Sequence, residues 1–125
     1  MKRLFDMIVS AAGMLVLSPV AAVIERDGRY LFVEEKAVEG ARVLNQPAGH
    51  WEPGETLEEA CAREAMEESA CRFRPRYLIG IYRWRSPAAD ETYLRFAYAG
   101  DIEGFERSEE HTSELQSRLH LVCRL

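Results

Sequence analysis

Short runs of β-branched and aromatic residues, separated by polar turns, divide the middle of the chain into strands. Residues 20–25 and 30–35 are two such runs, and Asp27 and Gly28 lie in the polar stretch between them. Asp-Gly favours the tight turn that joins two antiparallel strands. We therefore predict a β-hairpin over this part of the chain.

A second pair of strands is predicted at residues 77–85 and 92–99, on either side of a turn that contains Ser, Pro, Ala and Asp. Side chains in a strand alternate between two faces. In the later strand this places Leu94, Phe96 and Tyr98 on one face, and Tyr93, Arg95 and Ala97 on the other.

Residues 56–69 have the pattern of a helix. Thr56 and Glu59 stand at the spacing of a capping box, and apolar residues recur at helical spacing at Leu57, Ala60, Cys61 and Ala65. Before this helix, Val43 and Leu44 begin a short strand that Pro47 and Gly49 end. Strands around a helix predict an α/β domain.

The N-terminal end differs from this pattern. Residues 7–24 carry no charge, which is at the lower limit for a membrane span and also fits a signal peptide with a basic start. Residues 1–20 resemble the first membrane segment of bacterial polyprenyl-phosphate sugar transferases. We predict that residues 1–19 lie outside the domain, as an anchor or as a mis-joined gene start.

The C-terminal end reads RSEEHTSELQS at residues 107–117 and resembles the translation of a sequencing-library adapter. The alternative is an amphipathic helix, because Leu115, Leu119 and Val122 recur at helical spacing. We predict a domain over residues 20–106 and a non-native tail over residues 107–125.

Composition limits the class of protein. The chain has 125 residues, 47% of them hydrophobic, which is enough for one domain with its own core. Its net charge of -5 argues against binding of nucleic acid polymers, which need a basic surface. The three cysteines, Cys61, Cys71 and Cys123, are odd in number and widely spaced, so we predict reduced, buried thiols.

Three carboxylates on the predicted helix suggest a metal site. Glu64, Glu67 and Glu68 are three or four residues apart and project from adjoining positions. Like charges at this spacing destabilise a helix, whereas hard cations such as Mg²⁺ prefer clusters of oxygen ligands. The alternative is a solvated acidic face, which most Glu-rich helices have.

The surrounding segment, GHWEPGETLEEACAREAMEESAC, resembles the Nudix box, G-x5-E-x7-R-E-U-x-E-E-x-G-U, where U is a bulky apolar residue. The specified Gly, Arg and Glu residues all match, while Ala70 replaces the last Gly. A helix that ends on a residue with positive φ favours Gly there, so we expect the helix to end differently. The resemblance implies an α/β/α sandwich with a mixed sheet, here truncated at its C-terminal end.

Within the family, the segments LNQPAGH and YLRFAYAG resemble bacterial NudJ-type phosphatases, which act on nucleoside di- and triphosphates and on hydroxymethylpyrimidine pyrophosphate. The resemblance implies Mg²⁺, or Mn²⁺, bound by the Gly49 carbonyl, Glu64, Glu67 and Glu68. It further implies that Glu64 is a ligand or the general base, that Arg63 positions the glutamates, and that Glu55 supports the loop.

Residues that contact the organic part of a substrate are harder to assign. Asn45 and Gln46 precede the box, and their alternative role is strand-edge hydrogen bonding. Arg83, Trp84 and Arg85 could meet phosphate and base; the alternative is that Trp84 is core and both arginines are solvated. We expect a phosphorylated small-molecule substrate, a cytoplasmic monomer or dimer, and no membrane association.

Two other functions stay open. A non-catalytic Nudix-like module could sense a nucleotide, although the complete set of carboxylates argues against it. A membrane-anchored fragment related to sugar transferases depends only on the first twenty residues.

Overall fold

A computed structural model describes residues 7–9, 15–36, 39–106 and 119–123, with side chains at residues 17–36 and 39–106. One helix, α1 (Leu57–Ser69), lies among ten strands in these ranges. The strands are β1 (Met7–Val9), β2 (Leu15–Leu17), β3 (Pro19–Val23), β4 (Glu25–Arg26), β5 (Arg29–Lys36), β6 (Arg42–Asn45), β7 (Ala48–His50), β8 (Cys71–Ser86), β9 (Glu91–Phe105) and β10 (Leu119–Cys123).

Strand β9 organises the larger sheet. It pairs antiparallel with β8 along almost its whole length, and β2 and β3 pair parallel with successive parts of it. Strand β7 adds antiparallel to β3, and β1 to β2. This mixed sheet with a packed helix confirms the predicted α/β fold class. A smaller sheet contains β4, β5, β6 and β10.

The first predicted hairpin is partly wrong. Only Glu25 and Arg26 pair with Arg29 and Tyr30 across the Asp27-Gly28 turn, whereas residues 19–23 belong to the larger sheet. Local sequence could identify the turn but not the long-range partner of the apolar run, because buried strands are specified by tertiary packing.

The second predicted hairpin is correct and longer than expected. Strands β8 and β9 pair from Cys71 and Phe105 to Ser86 and Glu91, with irregularities in the register near Pro75 and Gly80. These irregularities interrupt the strict alternation that the prediction used to find strand ends.

Helix α1 has the predicted start. Thr56 is its N-cap, its side chain accepts a hydrogen bond from the Glu59 backbone N–H, and the Glu59 carboxylate accepts one from the Thr56 N–H. The expectation that it ends differently from a Gly-terminated helix is wrong: Ala70 is the C-cap with a left-handed φ of 57°. Its N–H bonds the Met66 carbonyl at 2.9 Å, which offsets the steric cost of that conformation.

The core lies between α1 and the larger sheet. Its buried members are Val20, Ala22, Ile24, Leu31, Ala60, Cys61, Ala65, Cys71, Phe73 and Tyr98. Cys61 and Cys71 are buried and free, as predicted. Burial raises the pKa of Cys61 to about 12 and that of Cys71 to about 11, so both thiols are neutral packing groups.

At the N-terminal end, strands β1 and β2 join the larger sheet. Among the described residues, no helix is long and apolar enough to span a membrane.

At the C-terminal end, the helical alternative is wrong for residues 119–123, which form β10 paired antiparallel with β5. Residues 107–118, including Leu115, lie outside the described residues. The domain boundaries at residues 19 and 106 stay predictions.

Candidate active site

The Glu64 carboxylate lies against strand β7. A Cβ built on Gly49 would be 2.1 Å from Cδ of Glu64 and within 2.4 Å of both carboxylate oxygens. Glu64 is only 8% exposed. Glycine at this position therefore lets a buried carboxylate approach the backbone closely.

Arg63 connects the carboxylates of the helix to the preceding loop. Its Nη1 donates to Glu64 Oε1 at 2.6 Å and to Glu67 Oε2 at 3.4 Å. Its Nη2 donates to Glu55 Oε1 at 2.8 Å and to the His50 carbonyl at 2.7 Å. The hydrogen bond to Glu55 is the main cause that raises the pKa of Arg63, so its charge is permanent.

Glu55 links the loop to the helix. Its Oε1 accepts a hydrogen bond from the Glu52 N–H at 2.8 Å in addition to those from Arg63. The Glu55 carbonyl accepts one from the Trp51 indole at 2.8 Å. Contacts from the loop between β7 and α1 therefore converge on Glu55. These contacts hold Gly49 in a fixed position relative to the helix.

The Glu68 carboxylate also contacts β7, at the residue before Gly49. Its Oε2 accepts a hydrogen bond from the Ala48 N–H at 3.1 Å. Glu67 is more open, with its side chain 48% exposed. Glu64 and Glu68 thus both meet residues 48–49, whereas Glu67 extends toward solvent.

This donor set suits a hard cation in its chemistry, because it consists of carboxylate oxygens beside a backbone segment that includes the Gly49 carbonyl. The side-chain arrangement is not a formed coordination shell. Within the described ranges, no three His, Cys, Asp or Glu side chains form a group that could hold a metal ion. Instead, Glu64 accepts a hydrogen bond from Arg63, and Glu68 accepts one from the Ala48 N–H.

Gly49→Ala tests how closely Glu64 must approach β7. Because the added Cβ meets the end of a flexible side chain, we expect Glu64 to move to a less favourable rotamer at a cost of about 1 kcal/mol. If this carboxylate takes part in catalysis, its displacement should lower the rate about 10- to 100-fold. Urea unfolding and a steady-state activity assay measure the two effects. Wild-type activity in this variant would contradict a role for the close approach.

Asn45 and Gln46 accept hydrogen bonds from Arg95, a residue for which the sequence predicted no role in the site. Arg95 Nη2 donates to Asn45 Oδ1 at 3.1 Å and to Gln46 Oε1 at 3.2 Å. Alternation in β9 had placed Arg95 on the face opposite Phe96, but nothing in the sequence indicated its partners on residues 45–46. Burial lowers the pKa of Arg95, and Glu35 and Glu68 are close enough to raise it.

The other predicted substrate residues lie at the closed end of the β8–β9 hairpin. Trp84 is 59% exposed, so the alternative that it belongs to the core is wrong; its ring packs against Tyr93 at 5.3 Å between centroids. Arg85 pairs with Asp90 in the turn, and Arg83 lies opposite Leu94.

Fold and site together define an α/β domain in which the carboxylates of one helix, Glu64 and Glu68, lie against a strand that contains glycine. The NUDIX domain profile matches residues 14–121, and the chain belongs to the Nudix family. The matched range is wider at both ends than the predicted domain of residues 20–106.

Relatives and solved structures agree with this family. The chain is 40% identical over 97 residues to phosphatase NudJ of Escherichia coli strain K12 and of Shigella flexneri, a match that covers 77% of this chain and 61% of each relative. A NUDIX hydrolase from Nitrosomonas europaea is 42% identical with a TM-score of 0.75, over 85% of this chain and 71% of that one. The E. coli ORF135 protein, 22% identical, has the same fold with a TM-score of 0.71 over 91% and 78% of the two chains.

Proposed function

We propose that the protein hydrolyses a diphosphate linkage in nucleoside di- or triphosphates or in a pyrimidine pyrophosphate, with Mg²⁺ or Mn²⁺ as the cofactor. The observation that carries the proposal is the buried Glu64 carboxylate, held by Arg63 against Gly49 beside Glu68. The relatives named phosphatase NudJ support the class of reaction. The chain spans about 61% of the length of these relatives. Its activity and its substrate are therefore part of the proposal.

The proposed ligands are the Gly49 carbonyl, Glu64, Glu67 and Glu68. When bound, the divalent ion would neutralise the diphosphate and lower the pKa of a water molecule. Glu64 has the burial and the fixed position that a general base requires, since it must stay within hydrogen-bond reach of the proton that it accepts. Arg63 touches no substrate in this scheme and acts as a positioning residue through Glu55, Glu64 and the His50 carbonyl.

The reaction is proposed to take place in the cytoplasm, in a monomer or dimer, on a small phosphorylated molecule. A non-catalytic nucleotide-binding module is the second candidate. Arg63 and the Ala48 N–H already bind Glu64 and Glu68, an arrangement that a module that only binds a nucleotide could keep.

Turnover separates the two candidates. We expect release of phosphate or pyrophosphate from a panel of nucleoside di- and triphosphates and from hydroxymethylpyrimidine pyrophosphate, only when Mg²⁺ or Mn²⁺ is present. Removing the ion with a chelator should abolish release, and adding it back should restore it. Tight binding of a panel member without turnover, measured by calorimetry, would favour the binding module; activity unaffected by chelator would exclude the metal mechanism.

A further inference from the structure

Strand β8 forms an outer edge of the larger sheet. Among the residues that the structure describes, it pairs with β9 along one side and with no strand along the other. One row of its backbone N–H and C=O groups is therefore without a strand partner in those ranges. A long edge strand of this kind is a template for pairing with another chain.

The second half of β8 is exposed on both of its faces. Trp84 lies opposite Tyr93, on the face away from α1, and Tyr82 shares that face because side chains alternate. Ile81 lies opposite Phe96, which packs against the core. Tyr82, Trp84 and Ile81 are 54%, 59% and 55% exposed. A helix would cover only one of these faces, whereas an added strand extends the sheet and gives side chains on both faces new neighbours.

Features that keep an edge strand unpaired are concentrated in the first part of β8. Pro75 lies there, and the irregularities in the register with β9 all precede Gly80. Natural edge strands use prolines and bulges to prevent pairing with other chains. From Gly80 to Ser86 the pairing with β9 is regular. This segment is therefore the part of the edge that a further strand can join.

We propose that two copies of this chain pair antiparallel along residues 80–84 of β8, about a two-fold axis at Tyr82, and so join their larger sheets. The same segment of both copies forms the interface, as two-fold symmetry requires. In this register Tyr82 lies opposite the same residue of the second copy. Ile81 then lies opposite Arg83, and Gly80 opposite Trp84.

Charge favours this register for a second copy. Strand β8 contains five arginines and no acidic residue, and like charges directly opposite each other destabilise a pair of strands. With the axis at Tyr82, the apolar Ile81 is opposite Arg83, and no arginine meets an arginine. An axis at Arg83 would place that guanidinium opposite its own copy.

Shape and length agree with the same axis. Gly80 has no side chain and so leaves space for the indole of Trp84 from the second copy. An axis at Ile81 would keep only residues 80–82 within the regular segment, which is shorter than a normal strand. The axis at Tyr82 therefore combines a longer paired segment with the separation of the arginines.

The exposed apolar surface has the size that a weak dimer uses. Each half-exposed large side chain contributes roughly 100 Å², or about 600 Å² for the whole set, compared with about 800 Å² per partner in a standard interface. We therefore expect a Kd of about 1–100 μM. The set consists of Tyr77, Leu78, Ile79, Ile81, Tyr82 and Trp84, which are 47–71% exposed.

Analytical ultracentrifugation of the full chain measures this association. We expect the population to change from monomer to dimer as the concentration rises from about 1 to 100 μM. Ile81→Lys introduces a charge opposite Arg83 and should raise the Kd at least tenfold. Leu44→Lys is the matched control, because Leu44 is 49% exposed and lies on β6 in the other sheet, and its Kd should not change. Circular dichroism checks that both variants fold.

A cysteine on the axis tests the register and does not depend on the folding of Ile81→Lys. Cys61 and Cys71 are buried, and a Cys123→Ser background removes the third thiol. Directly opposed residues have Cα atoms about 4.5–5.5 Å apart, within the range of a disulfide. Oxidation of Tyr82→Cys with copper-phenanthroline should therefore give a covalent dimer. Tyr77→Cys is also exposed but lies away from the axis, and it should stay monomeric on a non-reducing gel.

Three results would overturn the proposal. The first is a chain that stays monomeric at about 100 μM, or one whose association is unchanged by Ile81→Lys. The second is large aggregates without a defined dimer, or equal cross-linking of Tyr77→Cys and Tyr82→Cys, since either shows non-specific contact between apolar surfaces. The third is a dimer that does not cross-link at residue 82, because its interface lies elsewhere.

Discussion

Glu64→Gln is expected to lower kcat for diphosphate hydrolysis by about 10²- to 10⁴-fold, the range that general acid–base catalysis contributes. Gln has almost the same shape but cannot accept a proton or carry a negative charge. Because Arg63 and Gly49 already determine the position of this side chain, the substitution changes its chemistry without moving the backbone. The measurement is steady-state phosphate release at saturating Mg²⁺.

Glu68→Gln gives a different expected pattern. If Glu68 is a ligand, the variant should require a higher Mg²⁺ concentration for half-maximal rate, by about 10- to 100-fold. Glu58→Gln is the control, because Glu58 is exposed on the first turn of the same helix. Full activity in Glu64→Gln, or an unchanged Mg²⁺ requirement in Glu68→Gln, would contradict the assigned roles.

The positions of the site residues along the chain could be predicted because they obey local rules. A capping box fixed where α1 begins, and helical spacing then placed Glu64, Glu67 and Glu68 on adjoining positions. The strands of the second hairpin followed from alternation and a turn between them. At these positions the local sequence pattern favours the same secondary structure that the folded protein adopts.

Contacts between distant elements could not be predicted in this way. The apolar run that begins at residue 19 pairs with β9, more than seventy residues later, and its sequence fits either a hairpin or a buried parallel strand. The hydrogen bonds of Arg95 with Asn45 and Gln46 could not be predicted for the same reason: β6 and β9 belong to different sheets, and both must assemble before these side chains approach each other.

The contacts of Arg63 go beyond the ion pair that helical spacing alone indicates. A helix arginine four residues before Glu67 predicts an ion pair of a few tenths of a kcal/mol. In the structure that pair is the longest of its hydrogen bonds, at 3.4 Å, and the shorter ones reach Glu64, Glu55 and the His50 carbonyl. An ion pair within one helix can be predicted from residue spacing, whereas the contacts of a loop that folds back over the helix cannot.

Arg63→Met is therefore expected to lower the free energy of unfolding by about 3 kcal/mol, as for other ion pairs that are buried and lose one partner. The side chains of Glu55 and Glu64 are only 14% and 10% exposed, so both would lose their main counter-ion inside the protein. Hydrogen bonds to Glu55 raise the pKa of the Arg63 guanidinium. A raised pKa gives stability that is present below the unfolded value, so raising the pH to about 10 should not reduce this contribution.

Urea unfolding of three variants separates this explanation from simple loss of packing. Arg76→Met removes an exposed ion pair to Asp101 and should cost less than about 1 kcal/mol. The double variant Arg63→Met/Glu64→Gln should be more stable than Arg63→Met alone, because it also removes a buried negative charge that no longer has the Arg63 guanidinium beside it. If instead the double variant is less stable than the single one, or Arg63→Met costs no more than Arg76→Met, the guanidinium does not hold this cluster together.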